Sequence, residues 1–227
     1  MNSEYLINTS LESISGLYGF EFCVIDMSKI GERDLNLLSV LSENEINHLD
    51  SLKIEKNRIQ WISGRYAVKS ALFKFKMESS PLMDLSCIDV LKGADSAPYI
   101  LQYPDLCVSI THSFPYCIGI VSKMRSGIDI ENLAEPKDSL IKYFYSTGEK
   151  KILEGLKDTE EFLRQAMIYW TRKEAVSKFM KLGMQMDFKS LDTSNDRIIL
   201  DNCSICLESF ICGEFCMSLA SEGKYIK

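Results

Sequence analysis

The segment 127-GIDIE-131 places two carboxylates, Asp129 and Glu131, two residues apart in an otherwise apolar run. The run has the composition of a buried β-strand. Successive side chains of a strand point to opposite faces, so these two acids share a face, with roughly 6.5 to 7 Å between their attachment points. Neighbouring carboxylates repel each other, and burying an unpaired charge is costly. We therefore expect a cationic group between Asp129 and Glu131.

The overall composition is typical of a soluble globular protein. The chain has 227 residues, a length that fits one large domain or two of about 110 residues. Its net charge of −6 disfavours a general nucleic-acid-binding protein, because such binding relies on Lys and Arg neutralising phosphates. The N-terminal residues lack the features of a secretory signal, and no apolar run approaches the roughly 20 residues that span a bilayer. These features predict a cytoplasmic protein without a membrane or nucleic-acid partner.

Four of the eight cysteines lie close together in 203-CSICLESFICGEFC-216. A CxxC pair and a CxxxC pair are separated there by only five residues, which is much tighter than the usual zinc-ribbon spacing. The same segment has the apolar pattern of two short strands. We therefore interpret these residues as small buried thiols in a reducing cytosol.

The two halves of the chain repeat one order of elements: a strand, a helix-capping box, a long amphipathic helix and short strands. These elements are 22-FCVIDM-27, 42-SENE-45, 58–75 and 105–122 in the first half, and 127-GIDIE-131, 146-STGE-149, 165–182 and 204–221 in the second. The repeat predicts an α+β fold of two similar α/β subdomains in a pseudo-two-fold arrangement, with the active site in the cleft between them. The expected boundaries are residues 1–124 and 125–227.

In this repeat, Asp26 of the first strand is matched to Asp129, and Ser28 then takes the place of Glu131. The first half therefore lacks the second carboxylate. This match predicts a single site per chain, assembled by the second half.

The second long helix carries 170-WTRKEAVSK-178, in which Trp170, Glu174 and Lys178 are four residues apart and share a face. A Glu and Lys pair at this spacing usually lies on a solvated surface. Here the pair shares its face with a tryptophan, which favours burial, so we expect it at the edge of a protected surface. Together with the two acids of GIDIE, Glu174 gives three oxygen donors suited to magnesium. Lys178 would stabilise charge on a phosphate.

The first long helix carries a cluster of basic residues inside an acidic protein. The cluster is Lys53, Lys56, Arg58, Arg65 and Lys69. Such a run is either a solvated helix face or a seat for phosphates, and both interpretations stay open. His112, in 109-SITHS-113, is flanked by hydroxyls that suit hydrogen bonds to a phosphate. No GxxxxGK loop for a nucleotide is present.

Five segments occur in one order within residues 58 to 184: 64-GR-65, 96-SAPYI-100, 109-SITHS-113, 127-GIDIE-131 and 170-WTRKEAVSK-178. Together they resemble the 4′-phosphopantetheinyl transferases, specifically the long, pseudo-dimeric Sfp type. The combination of GIDIE and WxxKEAxxK is highly specific. The resemblance implies transfer of the 4′-phosphopantetheine arm from coenzyme A to a serine of an apo acyl or peptidyl carrier protein, with release of adenosine 3′,5′-bisphosphate. Such carriers serve fatty-acid, polyketide and nonribosomal-peptide biosynthesis.

The resemblance also implies a role for each matched residue. Magnesium, with manganese as an alternative, would be bound by Asp129, Glu131 and Glu174. Coenzyme A would be contacted by Lys56, Arg58, Arg65, Ser96, Ala97, Pro98, Thr111, His112, Asp129 and Lys178. The catalytic groups would be Glu174, Lys178 and Glu131, and either Glu174 or Glu131 would remove the serine proton, directly or through a bound water. A monomer is expected, because two fused halves complete the cleft without a partner subunit.

Three loop positions depart from the family pattern. The family's Asn-Ile-Ser-His is replaced by 109-SITH-112, Phe114 stands where glycine is common, and 181-KLGM-184 stands where Gly-x-Gly-Leu is usual. These changes leave the expected metal ligands intact. They concern the loop shapes and the surface that would meet the carrier protein.

Two other functions stay open at this point. A magnesium-dependent nuclease or phosphodiesterase uses similar carboxylates and a lysine, although the acidic charge disfavours it. A non-catalytic binding protein could keep the same fold, although a scaffold has no physical need for clustered acids.

Overall fold

The computed structural model describes residues 2–31, 34–77, 80 and 82–223. It has the α+β fold that the sequence predicts. Its α-helices are α1 (Ser3–Tyr18), α2 (Leu35–Leu38), α3 (Glu43–Ser51), α4 (Glu55–Lys76), α5 (Asp138–Phe144), α6 (Thr147–Gly155) and α7 (Glu160–Met180). Within the described ranges, none of these helices has both the length and the apolar character needed to cross a membrane.

The strands form antiparallel sheets. They are β1 (Phe20–Asp26), β2 (Val90–Lys92), β3 (Pro98–Ile100), β4 (Cys107–Ser113), β5 (Tyr116–Ser122), β6 (Ser126–Asn132), β7 (Arg197–Leu200), β8 (Cys203–Cys212) and β9 (Phe215–Ser221). The strand orders are β1-β5-β4, β2-β3 and β6-β9-β8-β7. Helix α4 packs on β1 and β5, and helix α7 packs on β6 and β9. Each of the two larger sheets thus has one long helix against it.

Each long helix approaches its sheet closely because a glycine faces it. A Cβ atom on Gly119 of β5 would lie 2.7 Å from the amide nitrogen of Val68 in α4. A Cβ atom on Gly127 of β6 would lie 2.1 Å from the carbonyl oxygen of Ala175 in α7. Neither position has room for a side chain. The glycine that opens GIDIE therefore brings the strand of Asp129 directly against α7.

Helix α1 joins the two larger sheets into one hydrophobic core. Ile7, Leu11 and Ile14 of α1 are buried in the same cluster as residues from both sheets. These are Phe20, Phe22, Ile118 and Ile120 from the first sheet, and Ile128, Ile130, Met217 and Leu219 from the second. Burying each such aliphatic or aromatic side chain contributes about 1.5 to 3 kcal/mol. The shared core thus packs both larger sheets against α1.

Alternate residues of β4 carry hydroxyls that accept hydrogen bonds from β6. The bonds run from Ile128 N to Ser109 Oγ (3.1 Å), from Ile130 N to Thr111 Oγ1 (3.2 Å) and from Asn132 Nδ2 to Ser113 Oγ (2.9 Å). We call Ser109, Thr111 and Ser113 the hydroxyl seam. It fixes the first sheet against the second along the strand that carries the two acids.

Both predicted capping boxes are present, at the start of α3 and at the start of α6. Their glutamates, Glu45 and Glu149, are at most 2% exposed, which the sequence did not predict. Each glutamate also forms a buried ion pair with a lysine of the next long helix. The partners are Lys69 for Glu45 (2.5 Å) and Lys173 for Glu149 (2.9 Å).

Equivalent hydrogen bonds show which residues of the two halves correspond. They run from Lys74 Nζ to Phe22 O (2.9 Å) and from Lys178 Nζ to Ile128 O (3.1 Å). Cys23, which follows Phe22, therefore corresponds to Asp129. The predicted match of Asp26 to Asp129 is wrong. The connection from strand to capping box has different lengths in the two halves: 19 residues separate Cys23 from Ser42, and 17 separate Asp129 from Ser146.

Asp26 has a different role at the end of β1. Its carboxylate accepts a hydrogen bond from the backbone of Ser28 and pairs with Lys29 at 2.9 Å. Since the true counterpart of Asp129 is a cysteine, the first half lacks both acids of GIDIE. The expectation of one acidic site, in the second half, is strengthened by this correction.

The cysteine-rich segment forms the β8–β9 hairpin, as its apolar pattern predicts. All eight cysteines are free thiols, and those at 206, 212 and 216 are buried. Burial raises the pKa of Cys212 and Cys216, so these thiols stay protonated.

Replacing Gly127 with alanine should destabilise the fold strongly. The added methyl would overlap the backbone of α7, so we expect the free energy of unfolding to fall by about 3 kcal/mol. Gly16→Ala is the matched control. Gly16 lies in α1 with open space around its Cα, and alanine there should stabilise by about 0.5 to 1 kcal/mol. Urea unfolding followed by circular dichroism measures both, and an unchanged stability of Gly127→Ala would contradict the close packing.

Candidate active site

Asp129 is a buried carboxylate on β6, only 4% exposed. Its Oδ1 atom accepts a hydrogen bond from Thr111 Oγ1 (3.0 Å) and contacts Lys178 Nζ at 2.6 Å. Its Oδ2 atom is buried and has no hydrogen-bond partner among the described residues. The cation that the sequence led us to expect beside Asp129 is therefore, in part, the ammonium group of Lys178.

Glu131 and Glu174 lie in the same electrostatic environment. Burial raises the pKa of Glu131, and the charge of Asp129 raises it further. Burial and then Asp129 raise the pKa of Glu174 to about 7. Lys178 and then Trp170 lie close enough to Glu131 to offset this rise in its pKa in part. The structure thus brings the three predicted acids, Trp170 and Lys178 together from β6 and α7.

The three carboxylates do not form a ready-made metal cage. Within the described ranges, no group of three His, Cys, Asp or Glu side chains is placed to hold a metal ion. Their chemistry nevertheless fits a hard cation. The donors are oxygens only, and a buried carboxylate oxygen such as Asp129 Oδ2 lacks any other partner in the described part of the chain. The acids are also close enough to raise one another's pKa, a repulsion that a divalent cation would relieve.

A cavity of about 500 Å³ is lined in part by Ile110 and His112, the two neighbours of Thr111 on β4. Four of the predicted coenzyme residues line it: Arg65, Ser96, Pro98 and His112. Its walls come from α4, from the β2–β3 hairpin and from β4. The side chain of His112 is exposed at the cavity surface. The pKa of its imidazole is lowered, first by partial desolvation and then by the positive charge of Lys178. The predicted adenine loop and the predicted phosphate histidine thus meet in one cavity.

Strand alternation explains how β4 serves both the cavity and the acids. Ile110 and His112 line the cavity, whereas Thr111 lies between them and faces Asp129. Thr111 is buried and its hydroxyl is committed to Asp129 and to the backbone of β6. Its contact is therefore with the acid rather than with the cavity. The structure supports a positioning role for Thr111 instead of the predicted contact with coenzyme A.

Arg65 lies over the ring of Trp61, with 4.4 Å between the guanidinium carbon and the ring centroid. His48 packs on the same ring at 5.0 Å. The Nε atom of Arg65 is buried and has no partner among the described residues. Trp61, His48 and Lys92 also line the cavity, and sequence reasoning missed all three. The sequence did contain one signal for the contact between Trp61 and Arg65, because residues four apart on a helix share a face.

The other predicted coenzyme residues lie outside this cavity lining. Arg58 donates to the carbonyl oxygens of Leu49 and Leu52, at the end of α3, so it stabilises the chain between α3 and α4. Lys56 is exposed and lines a smaller cavity of about 250 Å³. It is near enough to lower the pKa of His112. The amide of Ala97 donates to an aspartate in its own turn.

Comparison with known proteins identifies the family. Residues 125–220 match the model of the 4′-phosphopantetheinyl transferase superfamily. The holo-[acyl-carrier-protein] synthase of Acholeplasma laidlawii (strain PG-8A) is 30% identical over 86 residues, which make up 36% of this chain and 73% of that protein. The chain belongs to the 4′-phosphopantetheinyl transferase superfamily. The predicted superfamily and the predicted enzyme class are thereby confirmed.

Solved structures of phosphopantetheinyl transferases are also similar to this chain. The holo-(acyl-carrier-protein) synthase of Bacillus anthracis str. Ames, in complex with CoA (3′,5′-ADP), has a TM-score of 0.39 and 23% identity, covering 46% of this chain and 94% of that one. The holo-[acyl-carrier-protein] synthase of Thermotoga maritima has a TM-score of 0.37 and 19% identity, covering 57% of this chain and 75% of that one.

Thr111→Val should destabilise the protein although it preserves the shape of the side chain. It removes the donor to Asp129 and the acceptor for the buried amide of Ile130, so we expect a loss of about 1 to 3 kcal/mol in the free energy of unfolding. Thr111→Ser keeps the hydroxyl and loses only a methyl group. It should cost less than Thr111→Val in urea unfolding, and the reverse order would show that packing rather than hydrogen bonding matters here.

Proposed function

We propose that this chain transfers the 4′-phosphopantetheine arm of coenzyme A to a serine of an apo acyl or peptidyl carrier protein. The observation that carries the proposal is the buried carboxylate of Asp129, which contacts Lys178 through one oxygen and has no partner for the other among the described residues. Such a charge is costly unless a ligand completes its surroundings. A cavity of suitable size for a nucleotide is lined by His112, which follows the Asp129 partner Thr111 on β4. The co-product is adenosine 3′,5′-bisphosphate.

The nucleotide part of coenzyme A is placed in the 500 Å³ cavity. His112 and Arg65 would bind its 3′-phosphate, since both line the cavity and the guanidinium has an unpaired donor among the described residues. Ser96 and Pro98 on the β2–β3 hairpin would lie along the adenine. Lys56, which is near enough to lower the pKa of His112, would add positive charge.

Asp129, Glu131 and Glu174 would hold the metal, for which magnesium is the best fit and manganese an alternative. When bound, such an ion neutralises the pyrophosphate and makes the bisphosphate a better leaving group. The uncompensated oxygen of Asp129 and the mutual repulsion of the three acids both favour cation binding.

The remaining steps belong to side chains of this chain. Lys178 lies at 2.6 Å from Asp129 and is about a quarter exposed, so its ammonium group can contact a phosphate without leaving the carboxylate. Either Glu174 or Glu131 accepts the proton of the carrier serine. The serine oxygen then forms a bond to the β-phosphorus as the bond from that phosphorus to the bridging oxygen breaks. The released oxygen stays on adenosine 3′,5′-bisphosphate.

We place the chain in the long, pseudo-dimeric Sfp type, with subdomains at 1–124 and 125–227 and the site in the cleft between them. Two features support this. The buried Glu and Lys pairs of the two halves have the same arrangement, and in each half they join a capping box to the following long helix. The residues that line the nucleotide cavity come from the first half, and the acids come from the second. A cytoplasmic monomer is part of the same proposal.

Asp129→Asn and Glu174→Gln should each lower the transfer rate at least about hundredfold, because both remove charge where the metal and the phosphates would bind. Both amides keep the side-chain shape, so folding should be retained. The assay is the mass gain of an apo carrier protein incubated with coenzyme A and magnesium.

Asp26→Asn is the matched control for these variants, because it changes an aspartate at the end of the corresponding strand and should leave the rate unchanged. Wild-type activity in Asp129→Asn would refute the metal and phosphate assignment. A wild-type protein that modifies none of a panel of apo carriers would refute the function itself.

His112→Ala should raise the KM for coenzyme A about tenfold, since a hydrogen bond to a charged phosphate is lost. The same variant should use 3′-dephospho-coenzyme A as well as the wild type does, because that substrate lacks the phosphate which His112 would contact. Steady-state kinetics with the two substrates tests this. An equal rise in KM for both would place His112 away from the 3′-phosphate.

A further inference from the structure

The nucleotide cavity lies between a long helix and a separate β-hairpin. One wall is α4, with Trp61 and Arg65, and the opposite wall is the β2–β3 hairpin, with Ser96 and Pro98. The hairpin forms a separate two-stranded sheet, and within the described ranges no β-ladder joins it to another strand. Side-chain contacts therefore help to set its position relative to α4.

Glu45 connects these two walls directly. Its Oε2 atom accepts hydrogen bonds from Lys69 Nζ (2.5 Å), on α4, and from Ser42 N (3.0 Å). Its Oε1 atom accepts one from Val90 N (2.9 Å), at the first residue of β2. The side chain is 2% exposed. One buried carboxylate thus ties the helix wall to the start of the hairpin wall.

Lys69 and Asp89 complete the connection. Lys69 is fully buried, and besides Glu45 it donates to Val40 O (2.6 Å) and to Leu85 O (3.1 Å), just upstream of the hairpin. Asp89, immediately before β2, accepts a hydrogen bond from Ser42 Oγ at 2.6 Å. Lys69 also lies one helical turn after Arg65, so its anchoring fixes the part of α4 that carries the guanidinium.

We propose that Ser42, Glu45, Lys69 and Asp89, which we call the cleft clamp, are positioning residues for coenzyme A. None of the four lines the cavity. They set the separation of its walls, and through Arg65 and the hairpin they set the affinity for the nucleotide. This inference rests on the proposed function of the same cavity. Loosening the clamp should weaken nucleotide binding and leave the chemical step unchanged.

The second half provides a matched control for the clamp. Ser146 Oγ donates to Asp192 Oδ2 at 2.6 Å, the same length as the bond between Ser42 and Asp89. Ser146 also caps its helix through the same capping box. Neither Ser146 nor Asp192 lines the nucleotide cavity. An alanine at position 146 therefore removes an equivalent bond in the half that does not form the cavity walls.

The experiment compares Ser42→Ala with Ser146→Ala, and Asp89→Asn with Asp192→Asn. Calorimetric titration with adenosine 3′,5′-bisphosphate measures nucleotide affinity apart from catalysis, and transfer kinetics give KM and kcat for coenzyme A. We expect Ser42→Ala and Asp89→Asn to raise the Kd and the KM about tenfold while kcat is unchanged. Ser146→Ala and Asp192→Asn should leave the Kd unchanged. Ser42→Thr keeps both the cap and the hydroxyl and should restore wild-type affinity.

A structural role alone would produce a different pattern. Equal changes in Kd for the variants of both halves, or an unchanged Kd in Ser42→Ala and Asp89→Asn, would overturn the clamp. Failure of Ser42→Thr to restore affinity would do the same. Absence of transfer by the wild type would refute the proposed function instead, and the calorimetric comparison would still decide whether the clamp governs nucleotide binding. A wild type that does not bind the bisphosphate would overturn the clamp.

Discussion

The contact between Asp129 and Lys178 depends on how closely β6 approaches α7, and much of the site depends on that contact. Gly127 has no side chain, which lets the strand lie directly against the helix. Lys178 can then reach both the backbone of Ile128 and the carboxylate of Asp129. The same approach brings Glu174, one turn before Lys178, towards the two acids of the strand. Asp129 is therefore a buried charge that is only partly compensated, because one of its oxygens has no partner within the described ranges.

The two halves have a similar local backbone geometry around this lysine but different side chains beside it. Where the second half has Asp129, Glu174 and Lys178, the first has Cys23, Ser70 and Lys74 at the corresponding positions, with the same lysine-to-carbonyl bond. The first set holds no carboxylate, so it has no like-charge repulsion and gives no reason to bind a cation. The second set raises the pKa of its own glutamates. The like-charge repulsion is confined to the second half, and the long helix of the first half lines the 500 Å³ cavity instead.

The sequence was informative where a role depends on local spacing. The capping boxes, the strand of GIDIE and the shared face of Glu174 and Lys178 all follow from fixed periods of helix and strand. It was less informative where a role depends on the path of the chain between elements. Arg58 is held by carbonyls at the end of α3, and Asp26 was matched to the wrong residue because the connection after it has a different length. The equal separation of 24 residues from Glu45 to Lys69 and from Glu149 to Lys173 was visible in the sequence, but their burial was not.

Strand β4 connects the 500 Å³ cavity to the acids of β6. Its odd-numbered hydroxyl residues face β6 and fix the backbone on either side of Asp129, while His112 lines the cavity. Thr111 and His112 are adjacent in the chain, so the distance between the acid and the cavity is set by one peptide unit of a paired strand. A strand bonded to β5 along its length and to β6 through three hydroxyls can shift little. The relative position of the two parts of the site is therefore determined by the seam between the sheets rather than by a flexible loop.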